Sequence, residues 1–341
     1  MATINVPTDF LSIQDAVDAA SAGDTILVGP GTYTENVVID KPLTLQSTGG
    51  QGTTTIQGDG AGGELGAIQI LPGVDNLTIG GPGAGFTIVD GAPSITPADD
   101  NGNGAIEKAA IYLQGSHDNI LIQGNDVVAN GDAGLLSEFG AAVTNTTIDG
   151  NIFSGQTFTG AQPDGNGFAT QFNVGNNVPR QLVTMGNGGG GPYVSSNIVF
   201  TNNDVTGTAG GITSDDNVSE QGNTLVTIDA ADSTLSGNSF TGFTNRFATA
   251  VRARGPNTEV SDNSFDASAS GSDNTLFMFI DDKGSPANYD GNIFIATDGT
   301  ETLPTELTPG GDDTFLPGGG DDDIQGGGGF DTAVFAGDIA D

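Results

Sequence analysis

A tetrad recurs through the middle of this chain and constrains its fold more than any other feature. It reads Gly, Asn or Asp first, then Asn, then any residue, then Phe or Val. It occurs as Gly124-Asn-Asp-Val127, Gly150-Asn-Ile-Phe153, Asn202-Asn-Asp-Val205, Gly237-Asn-Ser-Phe240, Asp262-Asn-Ser-Phe265 and Gly291-Asn-Ile-Phe294. The second-place residues (Asn125, Asn151, Asn203, Asn238, Asn263, Asn292) are 26, 52, 35, 25 and 29 residues apart. Steps of that size suit one rung of a solenoid, with the longest step read as two rungs. A strand precedes the tetrad in Asn119-Ile-Leu-Ile122, Thr146-Thr-Ile148 and Asn197-Ile-Val-Phe200. Each rung of a solenoid leaves an apolar stripe that only the next rung can cover. Asparagine tolerates a left-handed turn and can hydrogen-bond its equivalents one rung away. Phe or Val at the fourth place is then expected to stack inside. Few two-residue hairpin signals separate the strands, which argues against an antiparallel sandwich.

The expected fold is therefore all-β, a right-handed parallel β-helix over residues 1–300. Residues 156–194, rich in Gly, Asn, Gln and Thr, are read as a long loop leaving the coil. Such loops form the walls of clefts or contact surfaces. One helical stretch stands apart, Ser12-Ile-Gln-Asp-Ala-Val-Asp-Ala-Ala20. Ile13, Ala16, Val17 and Ala20 share one face of it, and Ser12 is placed to cap its start. Short strands follow at Thr25–Val28, Val37–Ile39 and Leu43–Leu45.

The run from Ile13-Gln-Asp-Ala-Val17 through Gly31-Thr-Tyr-Thr-Glu-Asn-Val-Val-Ile39 resembles the opening of pectin-esterase-like and NosD-like right-handed β-helix proteins. That resemblance implies that residues 1–24 cap the N-terminal end of the coil and protect its open edge. Activity does not carry over with it. The Gln-Asp-Thr-Leu and Asp-Phe-Ile-Phe-Gly segments of pectin esterases are absent. So is the Tyr-Gly-Phe-Asp-Pro-His signature of mannuronan epimerases, which also join a β-helix to nonapeptide repeats.

Residues 301–341 carry a different period. Thr308 to Val334 is three nonapeptides in frame, each with Gly at the fourth place (Gly311, Gly320, Gly329) and Asp at the sixth (Asp313, Asp322, Asp331). The eighth place is apolar in all three (Phe315, Ile324, Ala333), and Asp312 and Asp321 add further carboxylates. The pattern resembles the Ca²⁺-binding repeat of RTX proteins. Glycine opens the backbone conformations such a turn needs, and Asp supplies the hard oxygens that Ca²⁺ prefers. A short calcium β-roll is expected here, folded where Ca²⁺ is plentiful, so that binding becomes folding free energy. A second calcium candidate is Asp99, Asn101 and Asn103, spaced like the first half of an EF-hand loop; its twelfth place is Ala110, where the motif needs Glu.

Charge bounds the partners. The 341 residues include 43 acidic and 7 basic side chains, a formal net charge of −36. Self-repulsion on that scale destabilises a compact state, and bound divalent cations relieve it. Nucleic acid and anionic membrane surfaces call for a basic footprint and are excluded as partners. No apolar run is long enough to span a membrane. The N-terminus lacks the basic and apolar regions of a signal peptide. Resemblance to RTX proteins implies export by a type I route that reads a C-terminal signal. A segment beyond Asp341 is expected on the same ground. The expected location is extracellular or at the cell surface, and the chain has no Cys.

Four of the seven basic residues, Arg246, Arg252, Arg254 and Lys283, fall close together. Arg252 and Arg254 are two apart and would share the outer face of a strand. Such a patch beside Asp281 and Asp282 could hold and deprotonate a uronic acid sugar, or it could simply neutralise neighbouring carboxylates. His117 is the one histidine, read as a turn residue, which leaves no His-based triad. Long sugar-binding grooves lean on Trp and Tyr, whereas this chain has no Trp and four Tyr. Two functions stand: a calcium-binding structural, adhesive or self-assembling surface protein, and an enzyme of the lyase or epimerase class acting on acidic polysaccharide. The partners expected are calcium, a second copy of the chain, or extracellular polysaccharide.

Overall fold

A computed structural model describes residues 1–59, 66–89, 109–129, 133–138, 140–155, 183–186, 193–207, 224–241, 249–266, 268, 276–281, 291–295, 301–302, 314–315 and 332–333. The chain winds repeatedly through three long sheets in a fixed order. Rungs in the middle run from Ile120–Gln123 in the first sheet to Asp126–Ala129 in the second and Ala133–Ser137 in the third, then back to Val143–Asp149 in the first. Every strand pairing within the coil is parallel until Glu301–Thr302, which lies antiparallel on Ile293–Ile295. The architecture is the right-handed parallel β-helix, the hand that parallel crossovers take in about 98% of cases.

Interior residues stack in register from rung to rung. In the first sheet the row runs Ile26, Leu45, Ile79, Ile122, Ile148, Phe200, Leu235, Val260, all fully buried. The second sheet contributes Ile56, Ile88 and then the fourth places of the tetrads, Val127, Phe153, Val205, Phe240, Phe265 and Phe294. Phe240 and Phe265 stack with ring centroids 4.8 Å apart, and Phe265 and Phe294 follow at 5.1 Å. Parallel strands stand about 4.8 Å apart, so identical rings one rung away meet at nearly the spacing offset stacking favours.

The tetrad divides its labour differently from the sequence reading. Its first place, not its second, takes the left-handed backbone: φ is 68° at Gly124, 62° at Gly150, 54° at Asn202, 69° at Gly237, 56° at Asp262 and 75° at Gly291. That explains why only Gly, Asn and Asp occur there. The second-place asparagines point inward and form a continuous ladder. The backbone N–H of each donates 2.9 Å to the side-chain oxygen of the next, from Asn125 through Asn151, Asn203, Asn238 and Asn263 to Asn292. Their side-chain amides also donate to carbonyls of the rung before, as Asn203 does to Ile148 at 2.9 Å. Because Asn151 bonds Asn203 directly, the 52-residue step is one rung with an insertion, not two. Likewise, the 156–194 span is not wholly a loop. Val183–Gly186 within it is a strand of the third sheet, paired with Ala133–Ser137 and Thr224–Asp229.

The expected N-terminal helix is present, while Thr3–Val6 ahead of it is the end strand of the first sheet, paired with Thr25–Val28. Helix Ile13–Ala19 buries Ile13, Ala16 and Val17, and Ser12 Oγ accepts from Asp15 N. Glu35 accepts from the N–H groups of Ile13 and Gln14, which satisfies two of the helix's orphan donors. Lys41 Nζ donates to the Val17 carbonyl at its far end. Gln14 closes the edge of the third sheet. Its side-chain oxygen accepts from Val38 N at 2.7 Å and its Nε2 lies 3.3 Å from Val38 O, occupying the place of a missing strand.

Candidate functional site

The three corners of the coil are unequal. From the first sheet to the second the connection is two residues in the regular rungs, the first and second places of the tetrad. From the second to the third it lengthens repeatedly, with residues 90–108, 156–182 and 207–223 each joining adjacent strands there. The third sheet beside that corner has an unusual exterior. Its outward row runs in register through Gln69, Tyr112, Leu136, Thr184, Thr227 and Arg252. Outward residues of a solenoid normally meet water, yet Gln69, Tyr112, Leu136 and Thr227 are all less than a tenth exposed. Ala109, Tyr112, Ala133 and Leu136 form a small apolar cluster separate from the core. Thr227 Oγ1 is buried with no hydrogen-bond partner among the described residues. A sheltered face with a polar atom left over is the kind of place where a ligand's hydroxyl can bind.

One row further along the strands, chemistry collects. Gln69 Nε2 donates to Gln114 Oε1 at 2.7 Å, and Glu138 accepts from the backbone of Gly115 at 2.6 Å. Beyond these, Asp229, Arg254 and Asp281 occupy consecutive register positions on three adjacent strands. Asp229 is almost completely buried. Of the residues expected from sequence, Arg252 and Arg254 do lie on one strand, Thr249–Arg254, with Arg252 half-buried between Thr227 and Phe279 in register. Asp281, named there as a neighbour, pairs in register with Arg254. Arg246 and Lys283 lie outside the described residues, as do Asp99, Asn101 and Asn103. Sequence reasoning missed Asp229 and Thr227. The alternation in Thr224-Leu-Val-Thr-Ile-Asp229 carried the signal, but no tetrad follows it to mark a rung.

His117 is buried and lies in the short strand His117–Asp118 rather than in a turn. Its Nδ1 lies 2.9 Å from the Val74 carbonyl and its Nε2 2.9 Å from that of Gln114, and the nitrogen that carries the proton donates to its carbonyl. Among carboxylates, hydrogen bonds from Thr144 and Asn145 hold Asp118 below the usual range. Burial pushes Asp149 up, but hydrogen bonds from Asn202, Gln123 and Thr201 outweigh it and lower the group overall. Burial raises Asp126. No group of three or more metal-ligating side chains occurs among the described residues. The calcium candidates Gly311, Asp312, Asp313, Gly320, Asp321, Asp322, Gly329 and Asp331 lie outside them. Within those repeats, Thr314–Phe315 pairs in parallel with Thr332–Ala333. No helix among the described residues is long and apolar enough to cross a membrane.

The fold defines the class, a parallel β-helix protein. No family model matches the chain. A cell surface glycoprotein of Methanothermus fervidus is 48% identical over 48 residues, which are 14% of this chain and 8% of that protein. Among solved structures, a pectin methylesterase mutant in complex with a hexasaccharide aligns with a TM-score of 0.45 and 13% identity, covering 88% of this chain and 84% of that one. An alginate lyase from Paenibacillus sp. aligns with a TM-score of 0.45 and 13% identity, covering 85% and 94%. Pectin methylesterase PemA from Erwinia chrysanthemi gives 0.45 and 12%, covering 85% and 89%.

Proposed function

We propose that this protein is a calcium-binding β-helix rod with a structural or adhesive role at the cell surface or in extracellular matrix. The observation that carries the reading is the unbroken asparagine ladder from Asn125 to Asn292, which ties successive rungs into one stiff element. Calcium is supported by the three nonapeptides and by the pairing of Thr314 with Thr332, eighteen residues or two nonapeptides apart. A net charge of −36 gives Ca²⁺ carboxylates to neutralise and to bridge between copies. Similarity to part of a protein named a cell surface glycoprotein supports the location. Gln14 fills the edge of the third sheet at the N-terminal end, which disfavours strand addition to that sheet. The test is to add Ca²⁺ to EDTA-treated protein and follow size by light scattering and electron microscopy. Ordered assemblies that dissolve in EDTA are expected; a monomer that gains only local structure refutes the assembly.

A second reading rests on a specific observation, the placement of Arg252 and Arg254 on the sheltered sheet beside Asp229 and Asp281 positions. There the arginines would bind the carboxylate of a uronate polymer and a neighbouring base would remove a sugar proton, as a lyase or epimerase requires. Release of unsaturated, ultraviolet-absorbing ends from uronate polymers would establish it.

A further inference from the structure

At the corner where the third sheet passes into the first, a second ladder runs along the outside of the coil. Its members are Asn76, Asn119, Asn145, Asn197, Asp232 and Asn257, all exposed and all left-handed, with φ between 48° and 58°. They link to the rung before: Asn119 Nδ2 to Asn76 Oδ1 at 2.7 Å, Asn145 Nδ2 to Asp118 Oδ1 at 2.6 Å, Asn197 Nδ2 to Asn145 Oδ1 at 2.7 Å, Asn257 Nδ2 to Asp232 Oδ1 at 2.7 Å. Two of the six begin the acceptor sequence Asn-x-Thr, as Asn76-Leu-Thr78 and Asn145-Thr-Thr147. Position 119 is followed by Leu121, 197 by Val199 and 257 by Glu259, and position 232 is Asp.

We infer that Asn76 and Asn145 are sites of N-glycosylation, which rests on the extracellular reading above. Sequence alone offers Asn-x-Ser/Thr wherever it falls, and such sites are used at exposed positions of exported proteins. Here both occupy the same structural place. Each amide stands at the apex of a left-handed turn, and each hydroxyl two residues on lies in one outward row, with Thr78 and Thr147 flanking Leu121 in register. The sites sit on alternate rungs, because Asn119 stands between them. Two strand spacings separate them by about 9.5 Å. Adjacent rungs, at half that distance, would crowd two sugars.

The chemistry fits the contacts. The donor is an oligosaccharide linked to a lipid through phosphate, used by a membrane-bound transferase. Asn Nδ2 attacks the anomeric carbon and the carbon–oxygen bond to phosphate breaks. The lipid phosphate leaves with the electron pair, and one amide proton is lost. The modified amide keeps one N–H, so Asn145 can still donate to Asp118 and its Oδ1 can still accept from Asn197. The exterior of the ridge is thereby decorated without loosening the rungs.

The experiment is peptide mass spectrometry on protein from its own host, with surface and cell-interior fractions digested separately by an Asp-directed protease. Peptides with Asn76 and Asn145 are expected to carry glycan in the surface fraction, while the Asn119 peptide stays bare. Thr78→Val and Thr147→Val should each remove one glycan mass from the intact protein and leave the other in place. Bare Asn76 and Asn145 on surface-located protein would overturn this inference and leave the location standing. Bare asparagines on protein found solely inside the cell would overturn both.

Discussion

The side-chain oxygen of Asn203 accepts a hydrogen bond from the backbone N–H of Asn151 at 2.9 Å, although 52 residues separate them in the chain. Asn203 Nδ2 meanwhile donates to the Ile148 carbonyl. One buried side chain thus serves two backbone groups of the rung before. Replacing it by Leu leaves the Asn151 N–H without that partner in the interior, at a cost of about 1–3 kcal/mol. Urea denaturation monitored by circular dichroism should show that loss for Asn203→Leu. The exposed ladder offers the contrast, and Asn197→Gly, which keeps the left-handed turn, should stay within about 0.5 kcal/mol.

Gln14 closes the strand edge at Val38. In Gln14→Leu the Val38 N–H and C=O face outward unpaired, a template for another chain's strand. The variant should fold but self-associate, and its light scattering should rise with concentration even in EDTA. Unchanged monomer at the highest soluble concentration would show that the helix body alone protects the edge.

Acid should act through opposing carboxylates. Asp118 and Asp149 have folded values below the ordinary 3.8. Their contribution to stability is therefore complete above that value and is lost as pH falls through the folded ones. Asp126 is the reverse, raised above 3.8 by burial. It is protonated more readily folded than unfolded, so its ionisation costs stability once pH rises through the folded value. Asp126→Asn should raise the thermal midpoint at neutral pH, and that gain should vanish below about pH 4. Asp149→Asn should lower the midpoint at neutral pH and flatten its fall in acid.

Charge sets a salt requirement. With a formal net charge of −36, repulsion among exposed carboxylates reaches across the molecule at low ionic strength. The screening length shortens from about 30 Å at 0.01 M salt to about 3 Å at 1 M. The thermal midpoint should rise with NaCl over that range, and a midpoint that falls would show that attractive pairs dominate instead.

Arg252 and Arg254 separate the two functional readings. Changing both to Ala should leave the Ca²⁺ response of the rod intact if they merely balance Asp229 and Asp281. If the sheltered face takes uronate polymers, the double variant should lose at least tenfold in binding, measured by titration calorimetry with the polymer, because a buried carboxylate–guanidinium contact is worth about 1.5–3 kcal/mol.

Local pattern alone determined a good deal. The tetrads announced the rungs, their fourth places announced Val127, Phe153 and Phe240 as core, and the spacing of Ile13, Ala16 and Val17 announced the capping helix. These are legible because a rung's inward residues and turns repeat at short range, whatever the rest of the chain does. The nonapeptides are as legible as a pattern, and their calcium is a matter for experiment.

Only the tertiary structure decided which rungs touch. An insertion that leaves and re-enters at one corner costs closure entropy that grows slowly with its length, so a step of 52 residues can join neighbours as well as one of 26. For the same reason the strand Val183–Gly186 was invisible inside a polar stretch. Burial of Tyr112, Leu136 and Thr227 on the outside of the coil could not be read either. An outward position looks the same in sequence whether it meets water or another segment, and the difference is made by packing at long range.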